Sequence, residues 1–360
     1  MTNCIENNNF IETAKCVDCK TCEEVCTIFQ VMGKYSPWEK VQVAKEILNN
    51  HLKPENWETV FFCNKCEACA EFCPEHLDLS KIIDESRRLI VQKWGIQYPR
   101  QEMVIKNIFN TGNPFGREER RFNWITNYPK ESKILLHLGC MMTFNLRNMG
   151  KSLINVLNKL KIDYTISDDE FCCGYFIYNT GDHDSAQKII EKNKSYFSKY
   201  NKIITACAGC YTFIKQNYGL EIPIKHVIEV IDEKLNSEDI DISKLKDKEI
   251  IFHDSCHLTR PHGIIKPPRE VLKRLGFKLK EFERNENKGI CCGADGGMRI
   301  INPEFSKEIG KFRLQDAKNK AEILLTLCPF CMQNFQDCNE SYGIDITIGN
   351  IFKELENILR

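Results

Sequence analysis

Residues 133–140 read Lys-Ile-Leu-Leu-His-Leu-Gly-Cys, and residues 249–256 read Glu-Ile-Ile-Phe-His-Asp-Ser-Cys. Each is a short apolar run that delivers a cysteine at its end. The device recurs as Lys-Ile-Ile-Thr-Ala-Cys at 202–207 and Glu-Ile-Leu-Leu-Thr-Leu-Cys at 322–328. A helical pattern follows the second run in each case, at 211–219 and at 332–343, and both close on Tyr-Gly. Another strand and helix come next, at 222–235 and 344–359. This is an internal duplication with a period of roughly 120 residues. Strand–cysteine–helix alternation predicts two parallel α/β units, with their chemistry at the carboxyl ends of strands. The fold class read from the chain is mixed α/β, with two duplicated Rossmann-like domains behind a helical N-terminal region.

The cysteines repeat with the strands. The first copy is Cys140, Cys172-Cys173-Gly174 and Cys207-Ala208-Gly209-Cys210; the second is Cys256, Cys291-Cys292-Gly293 and Cys328-Pro329-Phe330-Cys331. The gaps are 31 and 33 residues in the first copy and 34 and 35 in the second. Thiols at a repeated spacing are ligands rather than packing residues. Five per copy exceeds the four that zinc or a simple cubane takes. A vicinal disulfide between the adjacent cysteines is the competing reading, opposed by the flanking thiols.

Twenty cysteines in 360 residues suit a secreted disulfide scaffold only in a short chain with a signal peptide. The first ten residues are polar and carry no apolar h-region. No apolar run approaches the ~20 residues a membrane helix needs. A cytoplasmic protein with reduced thiols is expected, reaching a membrane only through a partner. Fifty acidic and fifty basic residues cancel, so no field attracts nucleic acid or anionic lipid.

The N-terminal third holds Cys16, Cys19, Cys22 and Cys26, then Cys63, Cys66, Cys69 and Cys73, the latter run trailed by Pro74. Both are the C-x2-C-x2-C-x3-C run of two-cluster ferredoxins, in which the fourth cysteine ligates the other cluster. One cubane 4Fe–4S cluster is then expected on Cys16, Cys19, Cys22 and Cys73, and another on Cys63, Cys66, Cys69 and Cys26. A pair of zinc sites is the alternative, but zinc gives no reason for the third step. Val41, Val43, Ala44, Ile47, Leu48 and Leu52 form a helical stripe between the runs, with Pro54 beyond its end. Residues 77–95 predict a helix capped by Ser80 and ending near Gly95. Residues 98–131, rich in turn formers and charge, read as a linker crossing between domains, with room for short helices. The expected domains are 1–97, 132–247 and 248–360.

The N-terminal module resembles the α-helical ferredoxin domain of succinate dehydrogenase and fumarate reductase iron–sulfur subunits. The two five-cysteine phrases, with His-Asp-Ser-Cys-His-Leu-Thr-Arg at 253–260 and Pro-Pro-Arg-Glu-Val-Leu-Lys-Arg-Leu-Gly at 267–276, resemble the CCG-domain family. The whole arrangement is similar to the catalytic subunit of heterodisulfide reductase in its fused, D-type form. That resemblance implies a noncubane 4Fe–4S cluster on each five-cysteine set, the pair facing one another across a disulfide. It further implies reduction of a heterodisulfide such as coenzyme M–coenzyme B to two thiols. Electrons would come through the cubanes from a flavoprotein or cytochrome b partner. A second architecture-sharing class is the electron-transfer subunit of FAD-dependent 2-hydroxyacid (lactate or glycolate) or glycerol-3-phosphate dehydrogenases. Two intact five-cysteine sets favour the reductase.

Other residues invite assignment. Gly293-Ala-Asp-Gly296-Gly297 lacks the strand-to-helix frame of a dinucleotide loop and reads as backbone approaching a cluster. His253, His257 and His262 surround Cys256; structural roles are the ordinary expectation, against hydrogen bonding to a cluster or protonating a thiolate. Arg260, Arg269 and Arg299 read as solvated rather than as anion ligands. Cys4 and Cys338 fit neither ligand set, and Cys338 reads as an apolar filler within a helix.

Overall fold

The computed structural model describes residues 12–49, 54–129, 131–237 and 248–359. Cys4, Leu52 and the boundary between the two later domains lie outside them.

The N-terminal third is helical. Helix Pro37–Leu48 starts on a capping box, Ser36 accepting from the Glu39 backbone while Glu39 accepts from Ser36, with Pro37 in the first turn. Its Val41, Ala44 and Ile47 pack with Val60, Phe61, Ile82, Ile83 and Ile90 into a compact core. Helix Leu79–Trp94 ends on Gly95 as expected, but its cap is Asp78, whose carboxylate accepts from Lys81 N, rather than Ser80. Either residue is a competent cap. The apolar Leu79 is buried, and that fixes the helix start one residue before Ser80.

Each later half carries a parallel sheet. In the first, β1 (Ile134–His137), β2 (Lys202–Thr205) and β3 (Ile224–His226) run in that order. In the second, β4 (Glu249–Phe252), β5 (Lys278–Lys280), β6 (Ile323–Thr326) and β7 (Thr347–Asn350) take the order β5-β4-β6-β7. Every pairing is parallel. The apolar runs are buried on both faces, which is why they read as continuous rather than alternating. No sequence signal marks β5, a three-residue edge with lysine at both ends. Its counterpart in the first half is a single parallel bridge from Leu135 to Thr165.

The halves pack reciprocally. Helix Arg147–Lys159 of the first lies on Ile351–Ile358 of the second, and Val227–Ser237 of the first lies on Lys266–Arg274 of the second. One hydrophobic core, including Leu136, Ile204, Ile251, Leu324 and Phe335, runs through both.

The stretch 98–131 carries one longer helix where short ones are expected. It holds a 13-residue helix, Pro99–Thr111, whose Val104 and Ile108 pack with Cys140, Cys172, Ile177 and Ile189. Pro99 and Gly112, turn formers in a sequence reading, are this helix's own start and stop signals. The segment backs the first cysteine set, and Cys172 N donates to Gly112 O at 2.8 Å.

Candidate metal centre

Both five-cysteine sets assemble from the same three structural positions. Cys140 follows β1 and Cys256 follows β4, each at the start of a short helical turn. Cys207 and Cys328 cap helices Ala208–Asn217 and Pro329–Tyr342, so Cys210 and Cys331 lie in the first turns above strands β2 and β6. The adjacent pairs come in on loops that end at Gly174 and Gly293, both with φ 87°. A Cβ on Gly293 would sit 2.5 Å from Ser306 O, so this turn accepts no side chain.

The thiols then contact one another in the same order in both copies. In the first, Cys140 meets Cys172, Cys172 meets Cys173, Cys173 meets Cys210 and Cys210 meets Cys207. In the second, Cys256 meets Cys291, Cys291 meets Cys292, Cys292 meets Cys331 and Cys331 meets Cys328. Hydrogen bonds from Cys172 and Cys210 pull the Cys173 thiol down to about 6. Cys292, held by Cys291, Cys331 and His253, also falls well below the usual thiol range. All ten are buried except Cys256, which is half-buried. Every described cysteine is a free thiol, the Cys172–Cys173 and Cys291–Cys292 pairs included. The Cys207 thiol is lowered as well, whereas neighbouring thiols and burial push Cys140, Cys172, Cys210, Cys291 and Cys331 up. Dense, buried sulfur of this kind is the donor set that soft iron–sulfur centres require. The residues present fit such a group.

The eight N-terminal cysteines fall into two groups. Cys16, Cys19, Cys22 and Cys73 line one cavity near the surface, beside Trp38 and Val41. Cys26, Cys63 and Cys66 line a second, inner cavity. Cys69 borders both. The inner cavity has an unexpected fifth sulfur, Cys291 of the second half. A hydrogen bond from Cys291 pulls the Cys66 thiol down to about 5. The inner N-terminal site therefore abuts the second five-cysteine set directly.

Between the two five-cysteine sets stands a row of polar side chains. Tyr175, two residues after Cys173, places its hydroxyl 3.2 Å from His257 Nε2. The same nitrogen is 2.7 Å from a carboxylate oxygen of Asp295, three residues after Cys292. Gly209, between Cys207 and Cys210, leaves room for both Tyr175 and Asp295. Phe176 and Phe330 meet across the same seam, with ring centroids 5.4 Å apart. An open cleft lined by Lys65, Asp84, Tyr178 and Gln216 leads from the surface to Tyr175 and His257.

The first set has a buried clamp. Glu170, 2% exposed, accepts from Leu138 N at 2.9 Å, Gly139 N at 3.1 Å and Arg121 Nη2 at 3.0 Å. Arg121 also reaches the Cys140 sulfur at 3.8 Å. Because Glu170 precedes Phe171 and Cys172, this pair ties the Cys140 loop to the Cys172–Cys173 loop.

The histidines and arginines near the second set take several roles. His257 belongs to the polar row, whereas His253 is buried with its ring edge-on to Phe335 and near Cys292 and Cys331. His262 hydrogen-bonds Thr212 at 3.1 Å. The arginines are half-buried and engaged by protein groups: Arg260 donates to the carbonyls of Cys66, Asn287 and Gly289, Arg269 forks onto Asp254, and Arg299 holds Asn334 and Asp337. Cys338 is fully buried in helix Pro329–Tyr342, its sulfur 3.2 Å from Lys307 O. Sequence reading missed Arg87, Arg121, Glu170, Tyr175 and Asp295. Only Arg87 leaves a trace: with Ile83 and Ile90 it falls on the apolar face of its helix.

Fold and site together define an iron–sulfur oxidoreductase with a helical electron-transfer module and two cysteine-rich α/β halves. Comparison with known proteins agrees. The family model of a cysteine-rich domain matches residues 134–215 and 250–336, and that of a 4Fe–4S dicluster domain matches residues 12–77. An uncharacterised iron–sulfur protein of Methanocaldococcus jannaschii is 30% identical, covering 92% of this chain and 69% of its own length. A dihydromethanophenazine:CoB–CoM heterodisulfide reductase component of Methanosarcina acetivorans, the D polypeptide, is 27% identical, over 95% of this chain and 92% of that protein. A fumarate reductase (CoM/CoB) component of Methanothermobacter marburgensis, the B polypeptide, is 26% identical, over 98% of this chain and 74% of that one. The chain belongs to this family of iron–sulfur proteins, which includes the D polypeptide of heterodisulfide reductase. Among the described residues no helix is long and apolar enough to cross a membrane.

Proposed function

We propose that the chain is the catalytic subunit of a disulfide reductase, cleaving a small heterodisulfide such as coenzyme M–coenzyme B between its two five-cysteine sets. The observation that carries this reading is the pairing of two equivalent five-thiol sets across the Tyr175–His257–Asp295 row. A protein that only relays electrons has no need of two such sets meeting at a seam with a cleft leading to it.

In this reading Cys16, Cys19, Cys22 and Cys73 hold an outer cubane, and Cys26, Cys63, Cys66 and Cys69 an inner one. Each five-cysteine set holds a noncubane cluster. When bound, the clusters supply electrons and an iron able to accept sulfur. The protein supplies the rest. Tyr175, His257 and Asp295 form a hydrogen-bonded row that holds a proton at His257 Nε2, next to where a thiolate leaves. Phe176 and Phe330 exclude water from the seam. The balance is one S–S bond broken, two electrons and two protons taken up, and two thiols released. Electrons enter from a partner protein, either a flavoprotein or a cytochrome b, and pass from the outer site to the inner one. The Cys66–Cys291 contact makes the second five-cysteine set the point of entry into the catalytic pair.

Run in reverse, the same site joins two thiols and sends electrons outward, which the likeness to a fumarate reductase component named for CoM and CoB favours as a second reading. Two variants test the division of labour. Cys66→Ser slows electron delivery from the partner but leaves disulfide cleavage by a small strong reductant. Cys292→Ser abolishes both. Equal loss of both activities in the two variants, with the remaining clusters intact, overturns the reading.

A further inference from the structure

Burying a charge without an opposite partner is costly, and in folded proteins buried charges are paired or serve a metal centre. Around the inner N-terminal cavity three cations break the pairing rule. Arg87 is fully buried, and all five of its guanidinium N–H groups are used: Nε on Val60 O, Nη1 on Asn179 O and Gly296 O, Nη2 on Phe61 O and Cys63 O, at 2.9–3.1 Å. Lys40, 1% exposed, lines the cavity and donates to Tyr35 O. Arg260, half-buried, donates to the carbonyl of Cys66 on the cavity wall. None of the three makes an ion pair with a carboxylate among the described residues; every partner is neutral. The outer cavity has one lysine on its wall, Lys20, which is exposed to solvent and lies over the Trp38 ring.

We propose that Lys40, Arg87 and Arg260 are the counter-charge of the inner N-terminal cluster and hold up its reduction potential, so that an electron arriving from the outer site is drawn inward. This rests on the reading that Cys26, Cys63, Cys66 and Cys69 ligate a cluster. Four thiolates give a cubane a net negative charge, and reduction adds another. In a buried site that extra charge is opposed by desolvation and favoured by nearby cations. Glu67 is the one carboxyl on the cavity wall, against the three cations around it.

Arg87 also sets position. Its carbonyl partners come from the N-terminal region, from the helix after Cys172–Cys173 and from the loop after Cys291–Cys292. That last loop lies flat on the Cys63–Asn64 backbone: a Cβ on Gly296 would stand 2.1 Å from Cys63 O. One side chain thus registers the inner site against both catalytic halves, and Arg87 is a positioning residue as well as a charge.

The test is a redox titration of the anaerobically purified full chain, followed by paramagnetic resonance. Iron and sulfide content comes first: wild-type protein lacking two N-terminal clusters sinks the underlying reading, whatever the variants do. With full content, Arg87→Gln and Lys40→Gln should each lower the midpoint of one N-terminal cluster by at least tenfold in its oxidised–reduced equilibrium. That is about 59 mV for a one-electron couple. The displaced signal should persist in Cys16→Ser, which removes the outer cluster. Arg87→Lys keeps the charge and gives up the fork, so its midpoint should stay within tenfold of wild type while its unfolding temperature falls. Unmoved midpoints in both glutamine variants at full iron overturn the inference. If Arg87→Gln loses its iron, Lys40→Gln and Arg87→Lys decide: an unmoved midpoint in the first, or one displaced tenfold in the second, is fatal.

Discussion

Replacing Glu170 by alanine removes the carboxylate that ties together the two loops of the first cysteine set. Arg121 would then be a buried cation without its partner, and breaking such a pair costs about 3–5 kcal/mol. The N–H groups of Leu138 and Gly139 lose their acceptor at the same time, each worth about 1–3 kcal/mol when left unsatisfied. These costs overlap, because the same loop relaxes to relieve both, and about 5 kcal/mol is a reasonable total. With a urea m-value of about 3 kcal/mol/M for a chain of this size, the unfolding midpoint moves down by about 1.7 M. Glu170→Gln keeps an acceptor for the backbone but turns an amide toward the guanidinium, so about half the loss is expected. Tryptophan fluorescence during urea unfolding reads the midpoint. A double-mutant cycle with Arg121→Ala isolates the pair, and a coupling energy of about 2 kcal/mol or more is expected. Coupling below about 0.5 kcal/mol would show that Arg121 and Glu170 do not act as a unit, and the clamp would be refuted.

Further outcomes follow from the same geometry. Burial holds the His226 imidazole down to about 3, so between pH 6.5 and that value the unfolded chain binds a proton that the folded one refuses. Stability is complete above about pH 6.5 and falls as pH drops. From about pH 8 to about pH 5.5 this residue should remove about 1.4 kcal/mol, a loss missing from His226→Gln in urea titrations at the two pH values. Gly296→Ala puts a methyl into the Cys63 carbonyl at a φ of 66°, so it should lower the unfolding temperature and iron content together. Retention of both would show that the loop is not held against Cys63. Anaerobically purified protein should contain about 16 irons with equal sulfide, four clusters of four. A reproducible count near about eight with the ferredoxin cysteines intact would remove both noncubane clusters from the account.

What could be read from the chain and what could not divide along a physical line. Cysteine spacing, apolar strand runs and Tyr-Gly helix stops are local signals, and they carry the duplicated parallel α/β architecture and the helical module ahead of it. The extent of helix Pro99–Thr111 is hidden because its boundary residues, Pro99 and Gly112, are also turn formers. Only its packing against Cys140 and Cys172 shows which role they play. Arg121 and Glu170 are invisible for another reason, which also hides the roles of Arg87, whose one trace is its place on an apolar helix face, and of Arg260, which reads as solvated. A charged side chain in a sequence is by default solvated, and only tertiary packing shows that Arg87, Arg121 and Glu170 are buried and Arg260 half-buried. Asp295 and Tyr175 come together with His257 from two halves of the chain, and no spacing rule connects them. The Cys66–Cys291 contact is likewise a product of docking one region on another.

The central claim is that the paired five-cysteine sets do chemistry on sulfur rather than pass electrons along. A cluster that cleaves an S–S bond must offer iron to a substrate sulfur, whereas a relay need not. The direct measurement is paramagnetic resonance of the oxidised, intact protein with and without added coenzyme M or coenzyme B. The account predicts a new thiol-dependent signal that disappears when Cys291 and Cys292 are both replaced by serine. It is contradicted if neither thiol perturbs any cluster while lactate or glycolate reduces the clusters through a co-purified flavoprotein.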